Sequence, residues 1–403
     1  MILCMIWQRR WQGTDCFRIE NGQRRQIPRD VRHLFLASRE MATEEIFELK
    51  NLRTLIIHDT DWYGSRNQVF FQKVFEKLRK LRVLIVAFPL GEISESGKGL
   101  EIPTTIGDLK HLRYLHLKSS YEFIPGSLII PRTLTLLHHL QGLTFDGFGD
   151  FKVPPYIDVG KLSNLRHISM GDSGMTMPNI ARLTSLQSLD CFRVGIEHGH
   201  GIEQLRDLNK IQGHLSISDL VNVKSKSEAL EANLGAKTRL AELELQLGTC
   251  LNSTRDVQAE VLEGLCPPRG LKSLEIRDYN GLVYPSWMVG VQNGGPKYLN
   301  TLVLCECSQL GPAPELFECF VHLSDFTISG LRWDTLPHNV KDLRWLKRLA
   351  IGWCFNIKSL PELPRSLEQF LLFGCDTGFM ESCQQVDHPN WQKLQHVKNC
   401  RIT

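Results

Sequence analysis

Apolar residues along this chain fall into one short pattern, apolar-x-x-apolar-x-apolar, repeated about fourteen times at intervals of some twenty to thirty residues. Clear copies are Leu52-x-x-Leu55-x-Ile57, Leu81-x-x-Leu84-x-Val86, Leu112-x-x-Leu115-x-Leu117 and Leu140-x-x-Leu143-x-Phe145. Later ones include Leu240-x-x-Leu243-x-Leu245, Leu271-x-x-Leu274-x-Ile276, Leu299-x-x-Leu302-x-Leu304, Leu346-x-x-Leu349-x-Ile351 and Leu367-x-x-Phe370-x-Leu372. Each copy predicts a short strand, because alternate side chains of a strand point to opposite faces. The two apolar residues separated by one position then face inward together, and the residues flanking them face out. Stacked in parallel, such strands build one continuous core and one long exposed sheet. Leu55, Leu115, Leu143, Leu189, Leu274, Leu302 and Leu349 are expected in a single buried column.

The connections vary. Ile102, Pro103, Ile106 and Leu109 predict a turn and a loose helical or 3₁₀ segment before the next strand. A first strand is expected over Val31 to Leu36. From about 192 to 268 the pattern is less regular. There it predicts a strand at Leu215 to Ile217, then a helix capped by Ser227 with Leu230 and Leu234 on one face. A second amphipathic helix, Asp256 to Leu265, turns Val257, Val261, Leu262 and Leu265 inward. The period is that of a leucine-rich repeat. The fold class is therefore an α/β repeat: a curved solenoid with a parallel sheet on its concave face and irregular or helical convex connections.

A solenoid absorbs 403 residues as one unit. The net charge of +3 is too small, and Arg53, Arg82, Arg113 and Arg166 too scattered, for a nucleic-acid platform. Twelve cysteines lack the paired caps of extracellular repeat proteins. Cys307, Cys354 and Cys375 each follow a strand, where a small thiol fits a buried turn, so reduced structural cysteines in the cytoplasm are expected. Met1 to Trp7 is apolar with Arg9 and Arg10 after it, the reverse of a signal peptide. No apolar run reaches the roughly twenty residues that span a bilayer.

The middle of the chain, "FRVGIEHGHGIEQLRDLNKIQGHLSISDLVNVKSKSEALEANLGAKTRLAELELQL", resembles a stretch of plant coiled-coil nucleotide-binding leucine-rich-repeat immune receptors. The segments "VLEGLCPPRGLKSLEIRDYNGLVYPSWM", "LPRSLEQFLLFGCD" and "HPNWQKLQHV" continue the resemblance. Leu247 departs from it, since the family usually has Trp there. The resemblance covers residues 16–403, read as the leucine-rich-repeat domain, and leaves residues 1–15 as a non-native or out-of-frame leader. "MILCMIWQRRWQG" permits a codon choice that, shifted by one base, reads HDLVHDLAETVAG, similar to the family's entry into its repeats. A truncated or frame-disrupted receptor is thus expected, with the family's nucleotide-binding domain missing and no Gly-x-x-x-x-Gly-Lys-Ser/Thr phosphate loop in the sequence.

No catalytic constellation accompanies the repeats. Clustered carboxylates, a Gly-x-Ser-x-Gly elbow and a His-Glu-x-x-His helix are all missing from the sequence. His198 and His200 have ligand-like spacing, but they sit in a Gly-rich loop without an evident third ligand. The expectation is a non-enzyme with no cofactor and no metal. The candidate partner-binding residues lie between the inward positions, on the concave face. One rung brings Tyr114, His116 and Lys118, and the next Gln141 and Asp146. Arg166 and His167 follow, then Asp190 and Phe192. Later rungs supply Glu244, then Lys272, Arg277 and Tyr279, then Lys347, Arg348 and Trp353, and finally Gln369 and Phe373.

The resemblance implies a protein partner, a pathogen effector or a guarded host protein, and a role in plant innate immunity. Three other readings are open. A substrate adaptor for ubiquitin ligation needs an F-box-like segment before the repeats. A membrane receptor ectodomain needs a signal and a span. A receptor gene remnant without function fits the same residues.

Overall fold

The structure, a computed structural model, describes residues 15–20, 26–37, 43–58, 65–88, 101–119, 127–147, 150–152, 158–170, 177–248, 254–290 and 294–403. Nearly all of the expected leader, and with it the apolar stretch Met1 to Trp7, lies outside the described residues. The chain divides into two compact units at Cys191/Phe192, where the less regular stretch was expected to begin.

The first unit carries β1 (Cys16–Glu20), β2 (His33–Ala37), β3 (Thr54–Ile57), β4 (Val83–Phe88), β5 (Tyr114–Ser119), β6 (Ser127–Ile129), β7 (Gly142–Asp146), β8 (Asp150–Lys152), β9 (His167–Ser169) and β10 (Ser188–Leu189). Eight of these form one parallel sheet in the order β1-β2-β3-β4-β5-β7-β9-β10, while β6 pairs with β8. The first expected strand begins at His33 rather than Val31, although Val31 is buried beside it.

In the second sheet β11 (Cys191–Arg193), β12 (Gln212–Ser218), β13 (Arg239–Gln246), β14 (Ser273–Arg277) and β15 (Thr301–Cys305) lie side by side in chain order. The same order continues through β16 (Asp325–Ser329), β17 (Arg348–Gly352), β18 (Gln369–Phe373) and β19 (Asn399–Ile402).

Register turns the sequence pattern into columns. In the first unit Leu34, Leu55, Leu84, Leu115, Leu143, Ile168 and Leu189 are successive partners across the sheet. In the second, Leu215, Leu243, Leu274, Leu302, Phe326, Leu349 and Phe370 form one column. Two residues on, Ile217, Leu245, Ile276, Leu304, Ile328, Ile351 and Leu372 form another. All of these are buried, because neighbouring coils cover both sides of each side chain. The sheets are open rows of parallel strands, as a leucine-rich-repeat solenoid requires, and neither closes into a barrel.

Each coil is completed by a second recurring device. Short 3₁₀ turns at Thr104–Asp108, Arg132–Leu136, Val159–Lys161 and Ile180–Arg182 end on Leu109, Leu137, Leu162 and Leu183. The N–H of each of these leucines donates to the carbonyl of the apolar residue three positions before it. That bond satisfies the turn's backbone and points the leucine into the core. In the second unit α-helices replace some of the turns, among them Lys226–Leu230, Arg255–Gly264 and Glu315–Cys319. The helix expected from Asp256 starts at Arg255, capped by Thr254 Oγ1, with Val261, Leu262 and Leu265 buried and Val257 half-buried. The preceding helix is capped by Ser225 rather than Ser227, because Ser225 Oγ accepts the Glu228 N–H while Glu228 Oε2 accepts the Lys224 N–H. The helix ends at Leu230, which is exposed; Leu234, expected on the same face, belongs to the following turn and is buried.

At the end of the chain Asn390 ties the last helices down. Its Oδ1 accepts the Leu360 N–H at 3.0 Å, and its Nδ2 donates to the Lys358 carbonyl and to Ser382 Oγ. Leu394 and Val397 are buried there, and Trp391 is half-buried. No disulfide joins the described cysteines. Cys307, Cys354 and Cys375 are buried three residues past the second apolar column, with thiols directed at backbone carbonyls. Burial pushes the Cys307 and Cys354 thiols up to about 12, which keeps them protonated and inert.

Among the described turns that do not end on leucine, one buries a charged side chain. Lys237 closes the turn Leu234–Ala236 at the position that Leu109 or Leu183 holds elsewhere, and it is fully buried. Its Nζ donates to the Leu205 carbonyl at 2.7 Å. Burial lowers its pKa to about 8, against a smaller upward pull from Asp207.

Two outcomes follow from these columns. Leu302→Ala should lower the unfolding free energy by about 2–5 kcal/mol, the transfer term plus the cavity, in urea titration. Between pH 8 and 10.5 the unfolded chain holds a proton on Lys237 that the folded chain does not, so this residue's contribution to stability rises with pH. Lys237→Leu should therefore gain most, relative to wild type, below pH 8, and the gain should shrink towards pH 10.5. A wild-type-minus-variant difference flat across that window would show that Lys237 does not titrate this way.

Candidate recognition surface

The outward strand positions split into a sheet face and two flanking edges. In the first unit the face is held by short polar links. Tyr114 Oη donates to Gln141 Oε1 at 3.2 Å, and the Tyr114 ring fills the space a side chain at Gly142 would need. His116 Nε2 lies 3.0 Å from Asp146 Oδ2, and Ser169 Oγ reaches Asp146 Oδ1 at 3.4 Å. Burial would raise the Asp146 carboxyl, but the His116 hydrogen bond and the charges of His116 and Lys118 outweigh it and hold the carboxyl below its ordinary range. Lys118 is exposed. Burial and the neighbouring Arg166 lower the His167 pKa, against a smaller upward pull from Asp190. Asp190, half-buried, accepts from Ser188 Oγ at 3.3 Å.

In the second unit the face begins acidic. Arg277 Nε lies 2.9 Å from Glu244 Oε1, and its guanidinium also reaches Glu275. The Glu244 contact is a charge contact rather than an aligned hydrogen bond, since Arg277 Nε has no partner by hydrogen-bond geometry. Burial raises the Glu275 carboxyl, and Arg277 offsets this only in part because Glu244 adds its own repulsion. Further along the sheet the outward positions become small or apolar, with Val303, Ala350 and Leu371 aligned in register with Glu275. Phe373 lies over Gly352, where an added Cβ would meet its ring at 2.3 Å. Arg348 and Gln369 are exposed at the starts of their strands.

Strand ends in this unit share a left-handed residue: Asp219, Asp278, Glu306, Gly330, Trp353 and Gly374 all have positive φ. The N–H of each of the last five makes a final rung to the next strand before the chain swings away. Gly, Asp and Asn tolerate this conformation, whereas a bulky side chain is strained in it. Trp353, at φ 53°, is the exception in size. Its indole lies over Gly374, it is 54% exposed, and it meets the exposed Phe355 edge-on at 6.4 Å.

Two of the expected face residues are in the core. Tyr279 is fully buried, with Oη donating to the Val283 carbonyl at 2.6 Å, and burial raises its pKa. It follows Ile276 by three positions, as Cys307 follows Leu304, and so occupies the inward column of the thiols. Phe192 is also buried, because the strand pattern breaks at Asp190 and restarts in β11 with Phe192 and Val194 inward and Arg193 outward. Gln141, Arg166, Lys272 and Lys347 precede their strands by one residue and stand on the edge, not on the face. The sequence reading missed Phe355, and on that edge the exposed Tyr298, His322 and Trp345. Their common signal is a place directly before a repeat's first leucine or phase-equivalent residue, or directly after the buried thiol.

No group of three or more metal-binding side chains occurs among the described residues. His198 is exposed and His200 buried. No described helix is long and apolar enough to cross a membrane.

Residues 202–331 match the family model of R13L1/DRL21 leucine-rich repeats. The chain is 37% identical over 288 residues to the disease resistance protein RGA1 of Solanum bulbocastanum, which covers 68% of this chain and 28% of that protein. It is 22% identical over 311 residues to the disease resistance RPP13-like protein 4 of Arabidopsis thaliana, covering 71% of this chain and 33% of the other. The chain thus spans about a third or less of the length of these relatives. A solved leucine-rich-repeat protein of Leptospira interrogans shares the fold at a TM-score of 0.53 and 17% identity, covering 96% of this chain and 93% of that one. The repeats of this chain are thus similar to R13L1/DRL21 leucine-rich repeats over residues 202–331 and to part of plant disease resistance proteins over a longer stretch.

Proposed function

We propose that this chain is a non-enzymatic protein-recognition module of plant innate immunity, working in the cytoplasm. Its partner is a pathogen effector or a guarded host protein, gripped on the exposed sheet face of the second unit. In this reading the repeats are the sensing end of a receptor whose response depends on a nucleotide switch. Support for the immune setting comes from the similarity to disease resistance proteins.

The observation that carries the surface is Trp353. A solvent-facing tryptophan is held at φ 53° where Asp or Gly would serve the fold at lower cost. Backbone strain of this kind points from structure to function. Together with Phe355 and Phe373 it gives a rigid aromatic shelf beside the small residues Ala350 and Gly352. Aromatic side chains at such positions supply a large share of interface energy.

Stability and binding should then part company at this residue. Trp353→Gly relieves the left-handed strain but loses the indole's packing on Gly374, so its unfolding free energy should stay within about 1 kcal/mol of wild type. In surface plasmon resonance against a panel of pathogen effectors and the host proteins they act on, at least one partner should bind wild type and weaken about thirtyfold in Trp353→Gly, the scale of a hot spot. A panel without any binder, or a binder indifferent to both Trp353→Gly and Phe373→Ala, would refute the assignment.

A further inference from the structure

A second surface on the same unit has a chemistry of its own. Tyr298 directly precedes Leu299, His322 precedes Leu323 and Trp345 precedes Leu346, so the three rings stand in consecutive coils on the edge where the chain enters the strands. Tyr298 and Trp345 are each 62% exposed. The Tyr298 and His322 rings stack at 6.1 Å with 29° between their planes. Backbone bonds fix the spacing of this row. The Lys272 carbonyl accepts the Asn300 N–H, Asn300 accepts Ser324 N–H, and Ser324 accepts Lys347 N–H, each at 2.8 Å. Successive coils are therefore one parallel-strand spacing apart along this edge, about 4.8 Å.

Cations border the rings. Lys297 and Arg344 directly precede Tyr298 and Trp345, and Lys347 follows Trp345 by two residues, all three exposed. Among the described residues none of the three is in a salt bridge. The carboxylates near these cations in sequence or register are the exposed Asp342, two residues before Arg344, then Glu368, whose N–H donates to the Lys347 carbonyl from the next coil, and Asp325, which accepts from Ser324 Oγ at 2.6 Å and is in register with Arg348. The edge thus presents positive charge outside any salt bridge beside the stacked Tyr298 and His322 rings and the Trp345 indole of the next coil, with the exposed Val321 directly before His322.

We infer that this edge docks a short acid-rich polypeptide segment, its carboxylates on Lys297, Arg344 and Lys347 and its apolar or aromatic side chains on the three rings. The inference rests on the chain's being a protein-recognition module, but not on the Trp353 face. Charge complementarity favours a polypeptide over a nucleic acid. The same sheet carries Glu242, Glu244 and Glu275 a few strands away, which would repel the continuation of any uniform polyanion. A polypeptide can be acidic over three coils and neutral or basic beyond them.

The test is fluorescence anisotropy with a labelled random copolymer of glutamate and tyrosine, using polyglutamate, oligothymidylate and phosphatidylserine vesicles as competitors. The copolymer should bind the full chain at low ionic strength and displace more readily with itself than with any competitor. The triple variant K297E/R344E/K347E should weaken it at least about tenfold with an unchanged thermal midpoint, and Trp345→Ala about threefold or more. Trp353→Gly should leave it unaltered. Equal binding by the charge-reversed chain, absence of binding, or preferential displacement by oligothymidylate or vesicles would overturn the inference. Loss of copolymer binding in Trp353→Gly would also overturn it, by moving the contact to the sheet face. Loss of effector binding in Trp353→Gly with no copolymer binding at all would leave the sheet-face function standing and the edge site refuted.

Discussion

Everything in this molecule depends on the parallel backbone ladder that locks each coil to the next. Because strands in such a ladder stand less than about 5 Å apart, a residue's nearest neighbours are the residues at the same phase of the adjacent coils. Position within the repeat therefore fixes environment. Leu274 is buried not because of its immediate neighbours in sequence but because Leu243 and Leu302 sit on either side of it. The apolar columns are the stable outcome, since each buried leucine also shields the ladder bonds from water.

Column membership also gives meaning to residues that break the pattern. Lys237 in a leucine column makes a single hydrogen bond to Leu205 and keeps a depressed pKa. It marks a coil where stability is set below what a leucine would give. Tyr279 in the thiol column brings a hydroxyl inside and satisfies it on Val283. Trp353 in the left-handed column breaks the rule on the surface, where no core packing compensates it. The first two departures cost or rearrange stability within the fold. The third leaves an aromatic ring exposed on the surface, the observation on which the proposed binding face rests.

The fold was legible in the sequence because a column needs only apolar character at a fixed phase, and the pattern reports phase directly. The seven leucines expected in a single column are all buried but fall into two columns, Leu55, Leu115, Leu143 and Leu189 in the first sheet and Leu274, Leu302 and Leu349 in the second, and the thiols at Cys307, Cys354 and Cys375 were placed by the same three-residue spacing. That spacing applied equally to Tyr279, whose aromatic character suggested a contact residue and masked its phase. Phe192 was misplaced because phase is lost wherever a strand breaks, as after Leu189. The cap at Ser225 was missed although Ser225-x-x-Glu228 is a capping-box signature. The surface was less legible. A strand pattern predicts which way a side chain points, but edge residues such as Lys272 and Lys347 lie just outside the strand, where alternation no longer applies.

Charge is distributed differently over these surfaces, and the difference has a physical consequence. On the sheet face of the second unit Arg277 is shared between Glu244 and Glu275. A partner binding as proposed would compete there with ion pairs already formed, so little net energy would come from its charges and the apolar contacts at Trp353 and Phe373 would decide affinity. On the edge, Lys297, Arg344 and Lys347 have no such pairs to give up. Their attraction for an anionic segment acts at longer range, accelerates encounter and falls with salt. The ladder beneath already holds the rings and cations of successive coils at fixed spacing, so docking need not pay to arrange the backbone that bears them. On the two proposals one scaffold would support two kinds of contact, one selective through shape and the other through charge.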